Sequence, residues 1–275
     1  MLAAMLASCE KPIEGELEKL PVDINTAPDN PCWSGDGTKL YFIDLPQLHH
    51  VAEYDINSKS QKELTDQFIR SFDIYPSSNR LVAEDGKWLW IRDPATWETI
   101  DSLRPCQKAI EMSGGVITPK FSYESDKIIY YTFKILDSVF LHRVDIENHT
   151  DEELMITFGQ QDIFSPGPGD SLFVLNDTIY NFASEKRIYT KIKPYWVQWN
   201  PVSANEILIA SGKDSDLFLF DMETKKTRRI TVPLFEGYVS TNAQFSPDGK
   251  KIAIVGCFYD GYYTGHKLWL MTLSN

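Results

Sequence analysis

Apolar residues in this chain come in short runs, not in long periodic stretches. The clearest is Ala243 to Gly256, Ala-Gln-Phe-Ser-Pro-Asp-Gly-Lys-Lys-Ile-Ala-Ile-Val-Gly, which predicts strand, tight turn, strand. Pro247 presets the turn φ, Asp248 can bond its own backbone and Gly249 tolerates positive φ. Ile252 to Val255 has the length and residue types of a strand buried on both faces. Weaker copies follow a large apolar residue at Trp33, Ile74, Phe121, Phe164 and Trp199, with Phe245 the sixth. Their spacings are 41, 47, 43, 35 and 46 residues, against about 40 to 45 for a four-stranded propeller blade.

A second mark recurs in the other half of each unit. An apolar strand ends in Asp or Asn, then a turn, then a short polar strand: Asp55, Asp93, Asp145, Asn181 and Asp221 hold that position. Asp and Asn suit it because their side chains cap the following turn. Five units end in an outer strand, at residues 62–65, 97–100, 152–156, 187–190 and 227–231. The sixth runs out after three strands. Residues 16–20 alternate like a strand and are expected to supply the missing outer strand, closing the ring. The predicted fold is all-β: a six-bladed β-propeller of four-stranded antiparallel blades, the last blade closed by an N-terminal strand. Residues 1–15 form a leader and tether, and 16–275 the propeller.

The hairpin at 245–249, with its following apolar strand and the strand ending near Asp, resembles the TolB-like propeller repeat (WD40-like). The five other copies are degenerate, and the Gly-His and Trp-Asp marks of WD40 itself are missing. The resemblance covers residues 16 to 275 and implies a fold, not an activity.

Composition narrows the partners. The formal net charge is −12, which disfavours nucleic acid, since phosphate binding needs a basic surface. The one basic cluster, Lys225 to Arg229, falls on a predicted outer strand, where cations oppose edge-to-edge pairing. Leu6-Ala7-Ser8-Cys9 resembles a bacterial lipobox. It implies lipidation of Cys9 and a lipid-anchored place in the envelope of a Gram-negative bacterium, periplasmic or surface-exposed, with no other membrane contact.

The entry ends of the inner strands are the expected channel rim, with candidate binding residues Asp29, Asn30, Arg70, Gln160, Asp162, Tyr195, Trp196, Tyr238 and Asn242. Tyr195, Trp196 and Tyr238 offer stacking faces, and Arg70 a carboxylate partner. Tyr259, Tyr262 and Tyr263 on the loop from Cys257 to His266 form a second candidate patch. Motif chemistry is sparse. There is no Gly-x-Ser-x-Gly elbow, no Walker or Rossmann glycine pattern and no histidine pair at zinc spacing, so no catalytic residue, metal or cofactor is assigned. Cys32 and Cys257 fall in blades that become neighbours on closure. A disulfide there is conceivable; a buried free thiol is the default. The leading expectation is a non-catalytic envelope protein binding a protein, peptide or glycan at the channel face. The alternative is a lactonase- or lyase-like propeller enzyme, metal-dependent or not, with Asp29, Asn30, Gln160, Asp162 and Asn242 converging at the channel mouth.

Overall fold

The computed structural model describes residues 15–24, 31–44, 49–65, 67–112, 117–158, 163–211, 217–230, 238–259 and 264–273. They form six four-stranded antiparallel sheets. Blade one is β2 (Cys32–Trp33), β3 (Lys39–Asp44), β4 (His50–Asp55) and β5 (Ser60–Glu63). Blade two is β6 (Ser71–Tyr75), β7 (Arg80–Glu84), β8 (Leu89–Arg92) and β9 (Thr99–Leu103). A short helix α1 (Gln107–Met112) leads to blade three: β10 (Ile117–Phe121), β11 (Ile128–Ile135), β12 (Ser138–Asp145) and β13 (Thr150–Phe158). Blade four is β14 (Phe164–Pro166), β15 (Leu172–Leu175), β16 (Thr178–Asn181) and β17 (Lys186–Tyr189). Blade five is β18 (Pro194–Asn200), β19 (Ser203–Ser211), β20 (Leu217–Asp221) and β21 (Thr227–Ile230). Blade six is β22 (Tyr238–Phe245), β23 (Lys251–Tyr259) and β24 (Thr264–Leu273), completed on its outer edge by β1 (Gly15–Ile24). Closure by the N-terminal strand is as expected, and it seats the buried Leu20 and Val22.

The signature turn is built as its residues require. In blade six the Ser246 hydroxyl donates to Asp248 (2.6 Å) and accepts from Lys251 N–H (2.9 Å), while Gly249 sits at φ +70°. Blade one repeats this with Ser34, Asp36, Lys39 and Gly37. The Ser34 and Ser246 hydroxyls hold the carboxyls of Asp36 and Asp248 below their usual range.

All five Asp/Asn marks cap their turns. Asp55, Asp93, Asp145, Asn181 and Asp221 accept from the backbone N–H three residues on, at Ser58, Thr96, Asn148, Ser184 and Thr224. The next residue is then left-handed in every case: Lys59, Trp97, His149, Glu185 and Lys225 have φ of 51–61°. None of these is glycine, so each carries about 1–2 kcal/mol of backbone strain. Glu185→Gly is therefore expected to raise stability by about 1 kcal/mol, read as a melting temperature higher by roughly 2–4 °C in calorimetry. An unchanged or lower value would mean that the turn is not strained.

The apolar core lies between blades. Tyr41 and Val51 pack on Phe72 and Leu81, Val82 and Ile91 on Ile129 and Tyr131, and Tyr130 and Leu141 on Phe164 and Phe173. Val174 and Ile179 pack on Val197 and Ile207, Leu208 and Leu219 on Ala243 and Ile254, and Ala253 and Leu268 on Phe42 and Trp33. Each blade therefore buries both faces, which is why its strands read as continuous apolar runs.

Candidate functional site

The inner strands carry a polar belt around the channel. Strand pairing aligns Cys32, Asp73, Lys120, Ser165, Gln198 and Gln244 at one level. Each sits immediately before Trp33, Ile74, Phe121, Pro166, Trp199 or Phe245, which pairs last ahead of the hairpin in blades one, three, four and six and stands one pair short of it in blades two and five, where Tyr75 and Asn200 pair last. In blade four that residue is Pro166 and not Phe164, since Gly167 N–H bonds Leu172 O as Ser34 N–H bonds Lys39 O. The repeat register taken from Phe164 is corrected by two residues.

Belt side chains accept the backbone N–H of the following blade. Asp73 Oδ2 accepts from Phe121 (2.9 Å), Ser165 Oγ from Trp199 (3.3 Å), Gln198 Oε1 from Phe245 (2.7 Å) and Gln244 Oε1 from Trp33 (3.2 Å). Cys32 Sγ donates to Phe72 O at 3.9 Å instead. The step from Lys120 differs again. Lys120 has only donors, and the residue facing it, Pro166, has no N–H to give. The ammonium turns back to Asp73 Oδ1 at 3.3 Å and lies over the Trp196 ring, 4.6 Å from its centroid.

Asp73 and Lys120 are both buried. Burial pushes the Asp73 carboxyl up, against the pull of Lys120 and of Phe121 N–H. Burial and the Asp73 charge together push the Cys32 thiol far up, so it is a protonated, free cysteine and not half of a disulfide. The pair opens on a cavity of about 370 Å³ at the mouth formed by the first hairpin of each blade, with Gly35, Pro76, Tyr123, Pro201 and Pro247 around it. Trp33, Tyr75, Trp196 and Trp199 contribute aromatic wall. The indole Nε1 of Trp196 is buried with no hydrogen-bond partner.

Of the residues expected on the rim, Trp196 lines this cavity. Arg70 lies beside Phe68, its guanidinium 5.7 Å from the ring centroid. Tyr195 is exposed and Asn242 is buried on β22. The backbones of Tyr238 and Tyr259 are in strands, and their side chains lie outside what is described. Cys9, Asp29, Asn30, Gln160, Asp162, Tyr262 and Tyr263 lie outside the described residues. Sequence reasoning did not single out Asp73, Lys120, Ser165, Gln198 or Gln244, and it weighed Cys32 only as a thiol or disulfide partner. Their one common signal is a place one or two residues before the end of the inner strand's pairing.

No family model matches the chain, and no curated protein does. Solved structures do. A gluconolactonase of Xanthomonas campestris superposes with a TM-score of 0.67 over 94% of this chain and 90% of its own, at 14% identity. Regucalcin of Agrobacterium tumefaciens, a calcium-binding protein, superposes at 0.66 over 93% of this chain and 95% of its own, at 10% identity. These likenesses bear out the six-bladed propeller. They overturn the expectation of a non-catalytic binding protein, which rested on the lack of a catalytic motif in the sequence: the fold is shared with a gluconolactonase, and the channel holds a buried acid–base pair.

Calcium takes six to eight oxygens at about 2.3–2.6 Å. Among the described belt residues the only carboxylate, Asp73, is paired with a cation, and both glutamine Oε1 atoms are spent on backbone N–H groups. That set does not fit calcium.

Proposed function

We propose that the chain hydrolyses small cyclic esters of the sugar-lactone kind in the channel cavity. The observation that carries this is the buried Asp73–Lys120 pair opening onto an aromatic-walled pocket. The neighbours' chemistry is consistent with it. A lactone ring would lay its C–H face on Trp196 or Trp199. Asp73, as carboxylate, takes a proton from the attacking water. Lys120 stabilises the oxyanion that forms on the carbonyl. Collapse breaks the ring C–O bond, the alkoxide recovers the proton from Asp73, and a hydroxy acid leaves.

The raised Asp73 pKa sets the pH profile. The base is ionised only above its folded pKa, so the rate falls on the acid side at a pH above the ordinary carboxylate value of about 4. In an assay over γ- and δ-lactones, Asp73→Asn is expected to lower kcat/KM at least about 100-fold and to abolish the acid limb. Turnover of no lactone, or turnover that survives Asp73→Asn, would sink this reading.

A further inference from the structure

Blade three carries a second reactive cluster, none of whose residues lines the channel cavity. His142 on β12 is buried, stacked on Tyr131 with ring centroids 5.0 Å apart. Its Nδ1 faces Asp151 Oδ1 at 2.7 Å. Asp151 Oδ2 in turn accepts from the Tyr131 hydroxyl (2.5 Å), which accepts from Cys106 N–H (3.1 Å). This closed circuit fixes Nδ1 as the protonated nitrogen and aims the Nε2 lone pair outward. There it meets Cys106 Sγ at 3.9 Å and Glu153 Oε2 at 3.7 Å.

We propose that Cys106 Sγ, His142 Nε2 and Glu153 bind a zinc-type divalent cation, with Asp151 orienting the imidazole from behind. A tetrahedral ion with bonds of about 2.3 Å to sulfur and 2.05 Å to nitrogen or oxygen sets its ligands roughly 3.4–3.6 Å apart; His142 Nε2 is within a few tenths of an ångström of that from both Cys106 Sγ and Glu153 Oε2, and the Glu153 side chain must swing toward the thiol to complete the set. Thiolate with imidazole selects zinc-type metals over magnesium or calcium. A carboxylate on the far nitrogen is the arrangement that orients histidine ligands to zinc. Glu153 is partly exposed, which gives it room to swing in and leaves the ion an entry path. Lys108, 3.9 Å from Glu153, supplies the positive charge there that the ion would displace. Sequence spacing hid the site, because its ligands come from the α1 approach and two strands.

Cobalt(II) is the probe, titrated into the chelator-stripped full chain. One equivalent is expected to bind with a thiolate-to-cobalt charge-transfer band and tetrahedral d–d bands, both bleached by zinc. Cys106→Ser should lose the charge-transfer band. Asp151→Asn and the surface change Glu153→Gln should each weaken binding about 10–100-fold, with folding checked by circular dichroism. No saturable one-to-one binding, or a charge-transfer band that survives Cys106→Ser, overturns the site. Glu153→Gln keeps the test decisive should a core variant fail to fold.

Discussion

Lys120→Met is expected to destabilise the propeller by about 3–5 kcal/mol at pH 8, the scale for stripping one partner from a buried ion pair. The lost Coulomb attraction is the smaller part. The larger part is the Asp73 carboxylate left in a site where burial already raises its pKa. The sign follows from linkage. A carboxyl with a folded pKa above its unfolded value is tolerated best while protonated, and folding loses stability as pH rises through the folded pKa. Without Lys120 that pKa climbs further, so the deficit should be large at pH 8 and shrink toward pH 5. The double variant Asp73→Asn/Lys120→Met removes both charges but keeps an oxygen for Phe121 N–H, and should recover most of the loss. Urea denaturation of the unaltered chain, both single variants (Lys120→Met and Asp73→Asn) and the double variant at both pH values measures this. A single-variant deficit under about 1 kcal/mol at pH 8, or no recovery in the double, would show that the pair is not electrostatically confined.

Deleting residues 1–24 is the second large effect. β1 supplies seven register pairs to β24 and buries Leu20 and Val22. Each of those side chains is worth about 1.5–3 kcal/mol of burial, and the two together amount to roughly 3–6 kcal/mol. Total stability is commonly about 5–15 kcal/mol. The shortened chain also presents a long unpaired edge on β24, a template for pairing with other chains. The expected result is loss of soluble monomer in size-exclusion chromatography, with the protein in aggregates. A monomeric, cooperatively unfolding product would show that the ring does not depend on this strand.

Much of the fold was legible because its marks are local. The Ser246-Pro247-Asp248-Gly249 turn and the five Asp/Asn caps are made by neighbours in sequence, and the run-out of blade six after three strands announced the strand at Gly15–Ile24. Blade four misled the alignment because Phe164 mimics the aromatic that other blades place two positions later, where Pro166 stands. The site was less legible for a different reason. Asp73 and Lys120 are single polar residues on apolar strands, 47 apart in sequence, and nothing local pairs them. They meet because consecutive blades set their inner strands, β6 and β10, side by side around the channel. Trp196 was found because an aromatic at that place has a use whatever its neighbours are. The cavity opens at the hairpin mouth, a choice between two ends that strand patterns do not encode.

Pro166 bears on how such a ring acquires an activity. Four belt side chains, Asp73, Ser165, Gln198 and Gln244, are spent stitching a blade to the next by one repeated, directional hydrogen bond. At Lys120 the stitch is dropped, at a cost of about 1 kcal/mol for one absent hydrogen bond. The residue released from that duty is the belt's cation. Chemistry enters here through an omission. A repeat protein can host a reactive centre by leaving one of its identical joints undone, and the remaining joints hold the shape around the gap. Restoring the joint, with an amide at 166 and a glutamine at 120, would give a more uniform ring and an inert one.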